Sequence, residues 1–220
     1  MAQLAAGARP THRRLPRHRS RVHASRSLAV AVAALLVATL TALPETVSPA
    51  ERSVFAAVNG LPDAIEWPLW ALMQLGAVLI VVVVALLAVL GWRRLRPSVD
   101  LLAAGLLTWC LGRVMKSLLG RGRPASFFDD VNTRSAGPIG NEGPGFPSGH
   151  TAVAFALATV AYPYLSARWR AVTLALAATV GFTRLYFGAH LPLDVLGGAA
   201  LGVAVGACVH LVMDLLTHHH

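Results

Sequence analysis

Ionisable side chains in the second half of the chain form three clusters, and two of these clusters contain a histidine. His190 is followed four residues later by Asp194, with Pro192 between them. If a helix begins near Pro192, the carboxylate lies about one turn beyond the imidazole. The carboxylate would then fix the tautomer of His190 and leave one ring nitrogen free to attack phosphorus. Together with His150, this pair offers the nucleophile and the proton donor that phosphoryl transfer needs.

Cationic side chains near these histidines favour a phosphate as the bound group. Lys116, Arg123 and Arg184 are all positively charged, and a guanidinium fork matches phosphate oxygens. The segment 147–150, Pro-Ser-Gly-His, stands where a glycine-rich loop enters a helix, so its free backbone N–H groups would favour an anion. These residues also have ordinary interpretations. Lys116 could reach toward the membrane surface from a helix end, and Ser148 could be a helix N-cap.

The composition predicts that a membrane surrounds the elements that position these clusters. The chain has 220 residues, 55% hydrophobic and 13% charged, with a mean hydropathy of +0.60. A soluble domain of this length rarely buries so much apolar surface. Six stretches are long enough, or nearly so, for a bilayer core of about 30 Å: 28–43, 68–91, 101–119, 151–165, 171–187 and 195–216. We therefore expect an all-α polytopic membrane protein with six transmembrane helices.

The distribution of basic residues predicts the side of the membrane that the clusters face. A net charge of +9 would suggest a nucleic-acid ligand in a soluble protein, but most arginines flank the apolar stretches on one side. They are Arg9, Arg13, Arg14, Arg17, Arg19, Arg21, Arg26, Arg93, Arg94, Arg96, Arg168 and Arg170. By the positive-inside rule both termini are cytoplasmic, and the clusters lie at the outer face. A cleaved signal peptide in the first stretch would leave this orientation unchanged.

The chain divides into three parts. We expect residues 1–27 to be a basic cytoplasmic tail and residues 28–216 to form the six-helix membrane domain, while 217–220 end in a histidine tract typical of an expression tag. The loop 120–149 is rich in Gly and Pro. It must lie outside lipid, because its backbone N–H and C=O groups would lack hydrogen-bond partners there.

Small residues within the apolar stretches have structural interpretations. Gly198, Gly202 and Gly206 recur every four residues and predict close packing against another helix. Cys110 and Cys208 are the two cysteines of the chain, and each lies inside an apolar stretch. We expect both to be small buried side chains, since their number and spacing provide neither a disulfide framework nor a CxxC motif.

Three motifs together resemble the signature of the type 2 phosphatidic acid phosphatase family. They are Lys116-x6-Arg123-Pro124, Pro147-Ser148-Gly149-His150 and Arg184-x5-His190-x3-Asp194. Their order and internal spacing both match. The resemblance covers most of the chain, because membrane members of that family also have six spans with these motifs on the non-cytoplasmic side.

The resemblance implies a role for each motif residue. His190 would form a phosphohistidine intermediate, Asp194 would orient it, and His150 would protonate the leaving group. The phosphoryl oxygens would be held by Lys116, Arg123, Ser148, Gly149 and Arg184, with Pro147 and Thr183 as additional candidates.

One motif position departs from the family pattern. The third motif usually begins Ser-Arg, whereas Thr183 precedes Arg184 here. A threonine hydroxyl can still donate a hydrogen bond, so we expect activity to be retained. The resemblance implies no metal and no cofactor. The only acidic pair in the loops, Asp129 and Asp130, is expected to be solvated surface.

These observations predict an integral-membrane lipid phosphatase that hydrolyses a phosphate or pyrophosphate monoester at the outer leaflet. Candidate substrates are prenyl pyrophosphates such as undecaprenyl pyrophosphate, phosphatidylglycerophosphate and phosphatidic acid. A lipid phosphotransferase that uses the same phosphohistidine is an alternative. An anion-binding or transport protein is disfavoured, because most charges cluster at one rim rather than within the spans. The Ala, Arg and Gly usage favours the plasma membrane of a high-GC bacterium.

Overall fold

A computed structural model describes residues 17–44, 46–92, 95–134 and 143–216 of the chain. The tail up to residue 16, Glu45, Arg93, Arg94, the segment 135–142 and the histidine tract 217–220 lie outside the described residues. Predictions that rest on these positions, such as the cytoplasmic location of the basic tail, stay predictions. Within the described ranges all regular secondary structure is helical, which confirms the all-α prediction.

Eight α-helices account for most of the described residues. They are α1 Arg17–Ala42, α2 Pro49–Asn59, α3 Glu66–Met73, α4 Val78–Trp92, α5 Leu95–Leu119, α6 Gly149–Ala161, α7 Ala167–Tyr186 and α8 Pro192–Leu216. Short 3₁₀ turns stand at Asp63–Ile65, Gln74–Gly76, Pro124–Ser126 and Tyr162–Tyr164. The apolar stretches coincide with these helices, and the second stretch covers both α3 and α4.

Some of the helices are long and apolar enough to cross a membrane. Three qualify alone, Arg21–Ala42, Leu95–Ser126 and Pro192–Leu216. Asp63–Gly76 and Val78–Gly91 qualify together as a fourth, although they are bent by 69°. Helix α6 has 13 residues, or about 20 Å, which is shorter than a bilayer core. The described part of the chain thus contains three or four candidate spans, and six spans stay a prediction.

Helix α8 packs closely against α6 through glycines, as their spacing predicts. A Cβ atom on Gly198 would lie 2.5 Å from the carbonyl oxygen of Ser148. A Cβ atom on Gly202 would collide with the carbonyl oxygen of Ala152. A Cβ atom on Gly206 would lie 2.8 Å from Cβ of Thr159 in α6. Side chains at these positions would push the two helices apart. The stripe therefore allows the two backbones to touch.

The bend between α3 and α4 also depends on a glycine. Gly76 lies against the start of α6, where a Cβ atom would collide with the carbonyl group of His150 and reach within 2.8 Å of Val180. Only glycine fits such a close backbone approach. The bend in the second apolar stretch thus supports the backbone of one of the two candidate catalytic histidines.

The prediction that both cysteines are buried is wrong. Cys110 and Cys208 are exposed on the surfaces of α5 and α8. Large apolar side chains are exposed as well, among them Leu79, Leu86 and Leu90 on α4, which are 60–74% accessible. A bilayer solvates apolar side chains on the outside of a helix bundle, so hydropathy does not separate lipid-facing positions from the core.

A matched pair of glycine substitutions tests the α6–α8 contact. Gly202→Ala should lower the free energy of unfolding by about 1–3 kcal/mol, because the added methyl group overpacks the interface. Gly91→Ala in α4, where nothing lies within 4 Å of the new Cβ, should leave stability unchanged or raise it by up to about 1 kcal/mol. Thermal unfolding of the detergent-solubilised proteins measures both. Equal unfolding midpoints for Gly202→Ala and Gly91→Ala would contradict the close packing of α6 against α8.

Candidate active site

His190 and Asp194 form a buried pair at the junction of α7 and α8. The side chain of His190 is 2% exposed and that of Asp194 is 0% exposed. His190 Nδ1 lies 3.3 Å from Asp194 Oδ2. Because a carboxylate accepts hydrogen bonds, Nδ1 carries the proton and Nε2 keeps its lone pair. This is the arrangement that the four-residue spacing predicts.

The backbone on either side holds this pair in place. The carbonyl oxygen of Arg184, in the last turn of α7, accepts from Ala189 N at 3.1 Å and from His190 N at 3.2 Å. On the other side, Asp194 Oδ2 also accepts from Leu191 N at 2.9 Å. Asp194 thus satisfies a free N–H at the start of α8 while it contacts the imidazole.

Two of the predicted phosphate ligands stand at the edge of the Gly-Pro loop. Lys116, in the last turn of α5, donates to the carbonyl oxygen of Pro144. Arg123 donates through Nε to the carbonyl oxygen of Gly143 and through Nη1 to that of Ala189, each at 2.7 Å. These bonds hold the loop beside the turn that carries His190. Their role as phosphate ligands stays a prediction.

Residues from all three sequence motifs affect the pKa of His190. Burial lowers the pKa of the imidazole well below its usual range, and the positive charges of Arg184, Lys116 and Arg123 lower it further, with a smaller effect from His150. The imidazole is therefore neutral near pH 7 and retains the lone pair that an attack on phosphorus requires. Arg184 is itself fully buried in the last turn of α7.

The second motif forms the entrance to α6. Ser148 stands at the N-cap position, as one interpretation predicts, but its Oγ lies 2.9 Å from Thr151 Oγ1 and makes no side-chain capping bond. Its backbone N–H donates to the carbonyl oxygen of Asp194 at 2.9 Å. Pro147 is buried just before it, and Gly149 and His150 form the first turn of the helix. The motif is thus bonded directly to the start of α8.

The remaining candidates lie apart from these contacts. Thr183 is buried, and its hydroxyl donates to the carbonyl oxygen of Val180 at 2.6 Å, within its own helix. Asp129 and Asp130 are exposed, as expected. In the described ranges, no three His, Cys, Asp or Glu side chains come together as metal ligands would. A metal-independent reaction stays a prediction.

The sequence motifs assign no role to two residues that form an ionic network with Asp194. Arg121 Nη1 donates to Asp194 Oδ1 at 2.8 Å, and its Nη2 donates to Glu51 Oε2 at 2.9 Å. Both Arg121 and Glu51 are buried. Arg121 lies between Lys116 and Arg123, at a position that the first motif leaves unspecified. Glu51 follows Ser48 by three residues, a spacing typical of a capping box, so nothing in the local sequence assigns it to the site.

The motifs and their geometry agree with a match to a known family. The PAP2 superfamily matches residues 70–217, a range that includes all three motifs. The chain belongs to the PAP2 superfamily. Helix α2, with Glu51, precedes the matched range.

The similar proteins include phosphatases of membrane lipids. The lipid A 1-phosphatase of Rhizobium johnstonii is 36% identical over 94 residues, which cover 42% of this chain and 38% of that protein. The putative undecaprenyl-diphosphatase YbjG of Escherichia coli is 27% identical over 176 residues, or 76% of this chain and 84% of that protein. The chain spans about half or less of the length of several curated relatives that it matches.

A solved structure has the same fold. The crystal structure of Aquifex aeolicus LpxE aligns with a TM-score of 0.65 and 27% sequence identity. The alignment covers 72% of this chain and 93% of that one. The likeness supports the helix arrangement that brings the three motifs together.

Oxyanion binding tests whether the clustered cations form a phosphate site. Inorganic phosphate or orthovanadate should bind to the detergent-solubilised protein, and Arg123→Gln should raise the dissociation constant about tenfold or more, because a charge-assisted contact is lost. Arg52→Gln, on the exposed side of α2, should bind as the unchanged protein does. Isothermal titration calorimetry measures all three. Equal affinity in both variants would contradict the assignment.

Proposed function

We propose that the protein is an integral-membrane lipid phosphatase that hydrolyses a phosphate or pyrophosphate monoester through a phosphohistidine at His190. The observation that carries this proposal is the buried His190–Asp194 pair, whose neutral imidazole lies in the field of Lys116, Arg123 and Arg184. A nucleophile and an oxyanion site in one place are what phosphoryl transfer requires.

In the first step the lone pair of His190 Nε2 attacks phosphorus. The bond from phosphorus to the lipid oxygen breaks, its electron pair stays on that oxygen, and the oxygen takes a proton from His150. The Nδ1 proton stays on the ring and faces Asp194, which stabilises the positive charge of the phosphorylated imidazole. Cationic side chains hold the other phosphoryl oxygens throughout.

In the second step water removes the phosphoryl group. Neutral His150 takes a proton from water, the water oxygen bonds to phosphorus, and the phosphorus–nitrogen bond breaks with its electron pair returning to Nε2. Burial and the neighbouring cations lower the pKa of His150 in the substrate-free site. The proton that His150 donates first is therefore supplied by a singly protonated phosphate monoester as it binds. The proton that His150 later takes from water leaves on the departing phosphate, which returns His150 to its neutral form.

The positions of the motifs in the helices support a site at the outer face of a six-span protein. Lys116 and Arg184 stand in the last turns of α5 and α7, and Asp194 stands in the first turn of α8. In antiparallel spans these ends meet on one side. Arg21 and Arg96 bond to Asp214 near the other end of α8, which is the cytoplasmic end by the positive-inside rule.

A substrate panel tests the proposed activity and names the lipid. Lipid A, undecaprenyl pyrophosphate, phosphatidylglycerophosphate and phosphatidic acid are each supplied in detergent, and released phosphate is measured in the presence of EDTA. We expect at least one lipid to be hydrolysed, with His190→Ala slower by roughly a thousandfold or more. Absence of phosphate release from every lipid, or equal release by His190→Ala, would contradict the proposal.

The acid role of His150 predicts a dependence on the leaving group. His150→Ala should slow hydrolysis of a lipid phosphate by about 100-fold or more, because the alkoxide then leaves without a proton. The loss should be much smaller with p-nitrophenyl phosphate, whose phenolate is a stable leaving group. Comparison of kcat for the two substrates in both proteins measures the effect. Equal losses would argue against general acid catalysis by this residue.

A further inference from the structure

Helix α2 lies across the turn that carries His190 and is attached to both neighbouring helices. Its buried residues, Glu51, Phe55 and Asn59, recur every four positions and therefore form one face of the helix. At one end, Asn59 Nδ2 donates to the carbonyl oxygens of Leu185 at 3.4 Å and Tyr186 at 3.0 Å, in the last turn of α7. In the middle, Phe55 packs against Leu185.

At its other end α2 is attached to the start of α8 through Glu51. Glu51 Oε1 accepts from the backbone N–H of Leu193 at 3.0 Å, and Oε2 accepts from Arg121 Nη2 at 2.9 Å. Ser48 Oγ caps α2 by accepting from Glu51 N at 3.1 Å, but both oxygens of the Glu51 carboxylate bond outside the helix. The Glu51 side chain therefore stabilises the turn around Asp194 rather than α2.

We propose that Glu51 and Arg121 are positioning residues that act on His190 through Asp194, a role that rests on the proposed phosphohistidine reaction. Arg121 stands at an unspecified position within the first motif, and Glu51 precedes the part of the chain that the family match covers.

The first part of this role is orientation. Asp194 Oδ1 accepts from Arg121 Nη1 at 2.8 Å, while Oδ2 accepts from Leu191 N and faces His190 Nδ1. Each oxygen of the carboxylate therefore has its own partners, which prevents the group from rotating. With Arg121 removed, Oδ1 would lose its partner, and Asp194 could turn away from the imidazole. Groups that orient metal ligands typically change affinity or activity 10- to 100-fold, and we expect an effect of that order for the groups that orient Asp194.

The second part is charge balance. Arg121 alone would neutralise Asp194 and weaken the attraction between that carboxylate and the positive ring that forms at His190. Because Glu51 shares the same guanidinium, the three side chains carry one net negative charge. When His190 is phosphorylated, its positive ring brings this group to neutrality. The network thus favours the intermediate over the resting enzyme.

Kinetics of the full-length protein in detergent test both parts. The variants are Glu51→Gln, which keeps the shape but not the charge, and Arg121→Met; the matched controls are Glu66→Gln and Arg52→Met, outside the network. On the fastest lipid of the panel, both network variants should lose about tenfold or more in kcat, with KM within about twofold. The controls should match the unchanged protein.

The pH profile separates positioning from a merely structural role. The charged and titratable groups that act on His190 from the surrounding elements are Arg184, Lys116, Arg123, His150, Asp194, Arg121 and Glu51. Removal of the negative charge of Glu51 makes protonation of His190 harder, so the acid limb of kcat/KM should move to lower pH. Removal of the positive charge of Arg121 should move it to higher pH. Each shift should be roughly half a pH unit.

The double variant Glu51→Gln, Arg121→Met keeps the net charge, so its acid limb should return close to that of the unchanged protein. If the unfolding midpoint shows that Arg121→Met does not fold, the double variant takes the place of Arg121→Met in the comparison. Opposite shifts in the single variants, or a shift in Glu51→Gln that the double variant cancels, would support the inference.

Other outcomes would overturn the inference. If Glu51→Gln has an unchanged kcat and profile while His190→Ala is inactive, the positioning role is wrong and the proposed function stands. If kcat falls without any shift of the acid limb, Glu51 and Arg121 serve folding alone. If the unchanged protein releases no phosphate from any lipid, the proposed function and this inference both fail.

Discussion

The backbone contact between α6 and α8 is the constraint on which the candidate site depends. Gly198 lets the carbonyl group of Ser148 touch α8, and Ser148 N donates to the carbonyl oxygen of Asp194 at 2.9 Å. Because this contact joins main chain to main chain, no side-chain rotamer intervenes between the second motif and the turn that carries His190. The site thus rests on the rigid part of the bundle, where small shifts of position are costly.

Local spacing accounts for the parts of the site that the sequence predicts. A carboxylate four residues after a histidine, with a proline between them, determines their relation once a helix begins there, and the structure places His190 Nδ1 and Asp194 Oδ2 3.3 Å apart. The bonds of Glu51 are different. They join residues 70 and 142 positions apart in the chain, and a separation of that size leaves no periodic signal in one sequence.

Hydropathy explains where helices form but not how they turn or bend. It places apolar residues in α5 and α8, yet Cys110 and Cys208 face outward because lipid and protein interior are equally apolar solvents. It also merges α3 and α4 into one stretch, although they meet at 69°. The bend depends on close contact of Gly76 with the carbonyl group of His150, a tertiary feature that hydropathy does not report.

The attachment of α2 at both ends limits how this protein can be recombined with its relatives. An exposed loop is usually an exchangeable part of a membrane protein, since it tolerates insertion and replacement. Helix α2 contributes Glu51 to a buried ionic network, so a transplanted segment without an acid there would leave Arg121 Nη2 and the backbone N–H of Leu193 without their acceptor inside the protein. The segment before α3 and residue 121 must therefore be exchanged together.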